Sequence, residues 1–164
     1  MEKKRQIISY DIGIDQKDKD AVIRLLCSLL SDEFVLYIKT LNCHWNVIGP
    51  HFGPLHTLFK DNYEMLLQMV DDFAERIRTL GGSAPGSFVE FLKNTQLKER
   101  KGVTTHGQEL IAVLYEDHLI IIRSFRDAIN KCDKQYHDVG TGNFLTDMME
   151  KQEKAAWMLR AHLE

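Results

Sequence analysis

The chain has no apolar run approaching the ~20 residues of a membrane span, no paired cysteine spacing and no excess of basic charge. Each absence removes a class of protein. The N-terminal MEKKRQIISYDIGID lacks the apolar stretch that a secretory signal needs, so the reading is a cytoplasmic protein. The three cysteines, Cys27, Cys43 and Cys132, are odd in number and form no Cys-x-x-Cys pair. That argues against a disulfide framework and for reduced intracellular thiols. Cys43, beside a histidine, reads as a small buried filler rather than a redox centre. A net charge of −3 offers no basic footprint of the kind that dominates nucleic-acid binding. Lys3, Lys4 and Arg5 form one small basic cluster, more often a solubilising end than a DNA contact. There is also no Glu-x-x-His anywhere, which counts against a metal centre enclosed within one helical bundle.

What is present fits one soluble domain. The chain has 164 residues, 44% hydrophobic and 27% charged, enough for a full core. No repeat, low-complexity tract or linker divides it. Residues 1–14 read as an arm and 15–164 as the folded domain. Asp15 is a candidate N-cap for a helix running to about Asn42, with Val22, Leu26, Leu30, Tyr37 and Leu41 along one stripe. Glu33 falls on or near that stripe. Gly49-Pro50 breaks the chain before a second helix over Gly53–Leu80, and Gly81-Gly82 with Pro85 ends it. SFVEFLK, from Ser87 to Lys93, suggests a short connecting helix. A third long helix is expected from Thr104 to Cys132, and Gly140 and Gly142 precede a last one ending near His162. With no strand pattern, the expectation is all-α: four long helices and a short one between the second and third, a four-helix bundle.

The chemistry concentrates in the second helix and just before it. His44 and His56 lie in HWNVIGPHFGPLH, and Asp71 and Glu75 follow at i, i+4 spacing. Histidine with carboxylate is ligand chemistry for a divalent transition metal such as iron or zinc. Fifteen residues separate His56 from Asp71, or ~22 Å along one helix, so no ion bridges them within one chain. Leu55, Phe59, Leu66, Val70, Phe73, Ile77 and Leu80 form a core stripe. His56, Asp71 and Glu75 centre roughly 135° from it, on a face shared with Tyr63, Leu67 and Ala74. A second, half-apolar face suits a two-fold dimer with antiparallel helices, where one chain's histidines meet the other's carboxylates. The plainer alternative is that the histidines cap or fill and the acids pair with Arg76 or Arg78.

HWNVIGPHF, the twelve-residue histidine spacing, DxxAER at Asp71–Arg76 and EKAAWMLRA at Glu153–Ala161 together resemble the Dps family, the miniferritins. The resemblance runs from about Asp15 to Leu163. It implies a ferritin-like four-helix bundle assembled as a hollow dodecamer. The family oxidises Fe(II) at intersubunit centres, mainly with hydrogen peroxide, and stores ferric mineral inside. Carried over by position, the metal ligands are His44 and His56 from one subunit with Asp71 and Glu75 from its partner. Trp45 matches a tryptophan beside the centre, where the resemblance suggests electron donation and the residues alone suggest packing. Where the family commonly has an aspartate four residues after the second histidine, this chain has Lys60. Asp61 lies about 100° further round the helix, a doubtful substitute. The expectation is one competent iron site per centre and a weak or absent second, with zinc or one static metal as the alternative occupant. Acidic Asp138, Asp147 and Glu150 are candidates to line an iron-entry pore, although the family often has an aspartate at the position of Asn143.

Overall fold

The computed structural model describes residues 10–99, 101–102 and 104–164. The basic cluster at Lys3, Lys4 and Arg5 lies outside them. Five helices follow one another: α1 (Gln16–Asn46), α2 (Phe52–Thr79), α3 (Phe88–Asn94), α4 (Gly107–Lys134) and α5 (Val139–Arg160). No named strand occurs among the described residues; a single bridge joins Ile48 to His106. α1 packs along α2 and α4 along α5, and the two pairs close on one core, with α3 crossing beside α1.

The apolar stripe of α2 is the centre of that core. Phe59, Leu66, Phe73 and Ile77 are fully buried, and Phe73 meets Phe125 of α4 and Phe144 of α5. Each such side chain contributes roughly 1.5–3 kcal/mol of transfer free energy, so this helix is held rigidly. Any group on its opposite face is held equally well.

The helix ends explain the register. Asp15 precedes α1 without a side-chain cap; its carbonyl accepts from the Asp18 and Lys19 amides. α1 runs to Asn46, beyond the expected Asn42, so His44 and Trp45 stand on its last turn rather than in a loop. Val47 is extended and Gly49 has φ 112°, which turns the chain into α2. α2 ends in a Schellman motif: the Gly82 amide donates to the Ile77 carbonyl and the Gly81 amide to that of Arg78. Gly81 supplies the left-handed φ of 87° that this ending requires. α3 begins with a capping box, Ser87 accepting from the Glu90 amide and donating to its carboxylate.

The last helix corrects an expectation. Gly140 and Gly142 lie inside α5, not before it, because Asp138 caps the helix by accepting from the Thr141 amide at 2.9 Å. Gly140 has a packing reason: a Cβ there would stand 3.1 Å from Arg76 Nη2. Arg76 bonds both Asp138 and Thr141, tying α2 to the start of α5. Asp138 is therefore buried and committed to this cap, and it is removed from the acidic residues expected to line a pore. Asp147 and Glu150 are exposed. No helix among the described residues is long and apolar enough to cross a membrane.

Candidate metal centre

The end of α1 lies beside the start of α2 and stacks two imidazoles. The His44 and His56 rings are 3.8 Å apart between centroids, inclined by 24°. Their hydrogen bonds are reciprocal: His44 Nδ1 lies 2.8 Å from the His56 carbonyl, and His56 Nδ1 lies 2.9 Å from the His44 carbonyl. A carbonyl oxygen only accepts, so each Nδ1 must carry the proton. In its neutral form a ring so protonated has its lone pair on Nε2, the tautomer a metal ligand needs. The arrangement also has a backbone reason. His44 is in the final turn of α1, whose carbonyls lack helical partners, and the Ile48 amide that would reach it donates to Thr105 instead. The His56 ring supplies the missing donor.

Rings surround the pair. Tyr63, one turn along α2 beyond Phe59, meets His44 edge-on at 5.2 Å, and Phe52 lies 5.0 Å from His56. Tyr37 of α1 meets Tyr63 at 6.3 Å. Trp45 is 68% exposed, and no ring contact joins it to either imidazole among the described residues. The Phe52 contact follows from i, i+4 spacing on α2, whereas the residues themselves gave no signal for the Tyr37–Tyr63 pairing, which joins two helices.

Asp71 and Glu75 are exposed and lie near the other end of the unbroken α2. The plainer expectation for them, pairing with Arg76 or Arg78, does not occur. Arg76 is engaged by Asp138 and Thr141, and Arg78 donates to the Gly82 carbonyl. Neither carboxylate has a hydrogen bond or ion pair within its own chain among the described residues. Nor do any three His, Cys, Asp or Glu side chains of one chain gather as a metal site there. Lys60 stands one turn from His56 and pairs with Glu64 at 3.6 Å, both about half exposed. The three cysteines form no disulfide, and Cys43 and Cys132 are buried.

A second polar cluster, inside the bundle, escaped the sequence reading except for Glu33. The Glu33 carboxyl accepts from Gln152 Nε2 at 2.7 and 2.8 Å, and the Gln152 carbonyl accepts from His118 Nδ1. All three are fully buried. Burial pushes the Glu33 carboxyl up to about 8 and holds the His118 imidazole down to about 4. At neutral pH all three groups are uncharged, which lets a core without Glu-x-x-His hold them.

The protein-family model of the ferritin-like domain matches residues 23–164. A low temperature-induced protein of Nostoc sp. is 41% identical over 154 residues, covering 94% of this chain and 86% of that one. The DNA protection during starvation protein of Helicobacter pylori is 34% identical over 139 residues, 85% of this chain and 96% of its own. In three dimensions the fold is similar to the crystal structure of a Dps protein from Vibrio cholerae, described as one of the ferritin-like diiron-carboxylate proteins. That likeness has a TM-score of 0.90 at 31% identity and covers 98% of this chain and all of the other. This chain is a ferritin-like protein and belongs to the Dps family.

Proposed function

We propose that the protein sequesters iron, oxidising Fe(II) at centres shared between two subunits and storing the ferric product in a hollow dodecamer built from two-fold dimers. Each centre takes His44 and His56 from one subunit and Asp71 and Glu75 from its partner. The observation that carries this reading is the pair of reciprocal Nδ1 bonds, which leaves both Nε2 lone pairs available. Two imidazoles alone make a poor site for Fe(II), which also favours carboxylate oxygen. Of the carboxylates on that face, Glu64 pairs with Lys60, whereas Asp71 and Glu75 are unpaired among the described residues of their own chain, Asp71 lying ~22 Å along α2 from His56. A two-fold axis with antiparallel α2 helices removes that distance. Exposed Leu67, Phe52 and Trp45 on or beside the same face would be covered by such contact.

Hydrogen peroxide is the preferred oxidant in this reading, since imidazole and carboxylate leave positions open on the ion. The result is protection of the cell, in the cytoplasm, from iron and peroxide together. DNA binding is a lesser part: multivalency across a cage would have to amplify one small basic cluster per chain.

A second reading has its own support in Lys60. An ammonium one turn from His56 replaces a carboxylate, a change of two charge units against a second cation. The centre would then hold one iron well, or in the weaker case a single static metal such as zinc.

Complementation tests the shared site. Particles co-assembled from a His44→Ala/His56→Ala chain and an Asp71→Ala/Glu75→Ala chain contain mixed dimers. In those, one of the two centres combines intact histidines with intact carboxylates. Peroxide-dependent iron oxidation should be lost in each parent particle and return in the mixture. A mixture as inactive as its parents would refute the shared centre.

A further inference from the structure

Three helix ends meet at one end of the bundle and leave a cleft between them. The start of α2, the start of α4 and the end of α5 enclose about 240 Å³, floored by Leu55 and Ile111 and rimmed by His51, Gln108 and His162. The backbones around it are tied together. Gly107 opens α4 where a side chain has no room: a Cβ there would stand 2.5 Å from Leu55 Cδ1, so α4 begins against the first turn of α2. Gln108 Nε2 donates to the His162 carbonyl at 3.0 Å and holds the turn after α5 in place. His51 occupies the cap position of α2, yet its side chain makes no capping bond; its carbonyl accepts from the Leu55 amide. The His162 amide donates to the Leu159 carbonyl. Both histidines are therefore anchored through their backbones. Both imidazoles are exposed, and neither has a hydrogen bond, ion pair or ring contact among the described residues.

We propose that His51 and His162 together bind an imidazole-preferring divalent ion, zinc or copper, at a site separate from the iron centre. The inference stands independently of the iron-oxidising reading. Imidazole nitrogen suits zinc and copper, whereas Fe(II) also favours carboxylate oxygen, and no carboxylate lines the cleft among the described residues. The site thus selects against the ion that the α2 carboxylates attract. Metal–nitrogen bonds of ~2.0–2.1 Å set two ligating nitrogens about 3.3 Å apart in a tetrahedral site. In the proposed site the two exposed rings rotate to that separation while their backbones stay in place. The cleft has room for the ion and for the waters that fill its remaining positions. Bound there, the ion joins the start of α2 to the end of α5, which no hydrogen bond or ion pair connects among the described residues. Binding then stabilises the folded chain by closing that end of the bundle.

The test uses the intact, metal-free protein titrated with Zn(II) and, separately, Cu(II) by equilibrium dialysis. His51→Ala and His162→Ala should each bind one ion fewer per chain than the unaltered protein, and Cu(II) should hold the site more tightly than Zn(II). His106 is an exposed histidine at the same end of the bundle that does not line the cleft, so His106→Ala should lose no ion. Without metal, the two cleft variants should melt as the unaltered protein does, because both side chains are exposed and unbonded. With Zn(II) added, the melting temperature should rise less in either variant than in the unaltered protein. Fe(II) binding, measured without oxidant, should be the same in all of them. If both cleft variants bind as many ions as the unaltered protein, or if His106→Ala loses as many as they do, the cleft holds no site. If only one of the two variants loses the ion, the pairing of His51 with His162 is wrong. A protein that takes up Zn(II) in the cleft but fails to oxidise iron would overturn the iron-oxidising reading and leave this site intact.

Discussion

Glu33 and His118 sit at the two ends of the Gln152 amide, one accepting from its nitrogen and the other donating to its oxygen. The bridge couples α1, α4 and α5 in the middle of the bundle and makes its stability depend on pH in two opposed ways. Unfolded, the carboxyl titrates near 4.5 and the imidazole near 6.5; folded, they titrate near 8 and 4. Between 4.5 and about 8 the folded chain keeps a Glu33 proton that the unfolded chain has released, so stability falls as pH rises. Between about 4 and 6.5 the unfolded chain binds a His118 proton that the folded chain refuses, so stability rises with pH. The two slopes offset one another between 4.5 and 6.5. From 6.5 to 8 only the Glu33 loss remains, approaching ~1.4 kcal/mol per pH unit per chain. Denaturant unfolding at fixed protein concentration should trace that decline, and Glu33→Gln should flatten it. An equal decline in the variant would rule out Glu33 as its source.

Asp138 gives a prediction of a different kind. It caps α5 through the Thr141 amide and receives Arg76 from α2 at 3.2 Å. Asp138→Ala should cost about 2 kcal/mol, the upper end for a lost cap, because Arg76 also loses its partner. Asp138→Asn keeps an oxygen for the Thr141 amide and should recover about half of that. Equal losses in both variants by thermal or denaturant melting would place the energy in the ion pair rather than the cap.

The contrast between these two sites marks what the residues alone could convey. The stripe from Leu55 to Leu80 was legible because helical periodicity repeats seven times along one helix. The short helix after Ser87 and the Gly81-Gly82 ending were legible because their signals are local. The start of α5 was misread because two glycines looked like a loop, whereas one makes room for an arginine sixty-four residues earlier in the chain. The Gln152 bridge was invisible for the same reason: nothing near Gln152 or His118 in sequence announces Glu33. At the candidate centre, spacing put three side chains, His56, Asp71 and Glu75, on one helix face and showed that one chain cannot bring that histidine to those carboxylates. The tautomers, which depend on carbonyls left open at the end of α1, needed coordinates.

Lys60 offers a gain-of-function prediction. It is half exposed and, among the described residues, held by a 3.6 Å pair with Glu64, an arrangement worth well under ~1 kcal/mol. Lys60→Asp should therefore cost little stability while replacing an ammonium with a carboxylate beside His56. Anaerobic Fe(II) titration should then rise from about one tight iron per centre toward two. Two tight irons per centre in the unaltered protein would show that Lys60 does not block the second position.

Removing the carboxylates separates metal chemistry from folding. Asp71 and Glu75 are exposed, at i, i+4 spacing, and neither has a partner in its own chain among the described residues. Like charges so placed destabilise a helix by about 0.2–0.5 kcal/mol. Asp71→Ala with Glu75→Ala should thus leave the metal-free bundle as stable as before or slightly more so. The same double substitution should reduce peroxide-dependent iron oxidation to the rate of iron free in solution, because two imidazoles remain without the oxygen ligands that Fe(II) favours. Added Fe(II) should raise the melting temperature of the unaltered protein and not that of the variant. Unchanged oxidation kinetics in the double variant would mean that iron is handled elsewhere on the chain, and that the α2 carboxylates serve only to keep the surface hydrated.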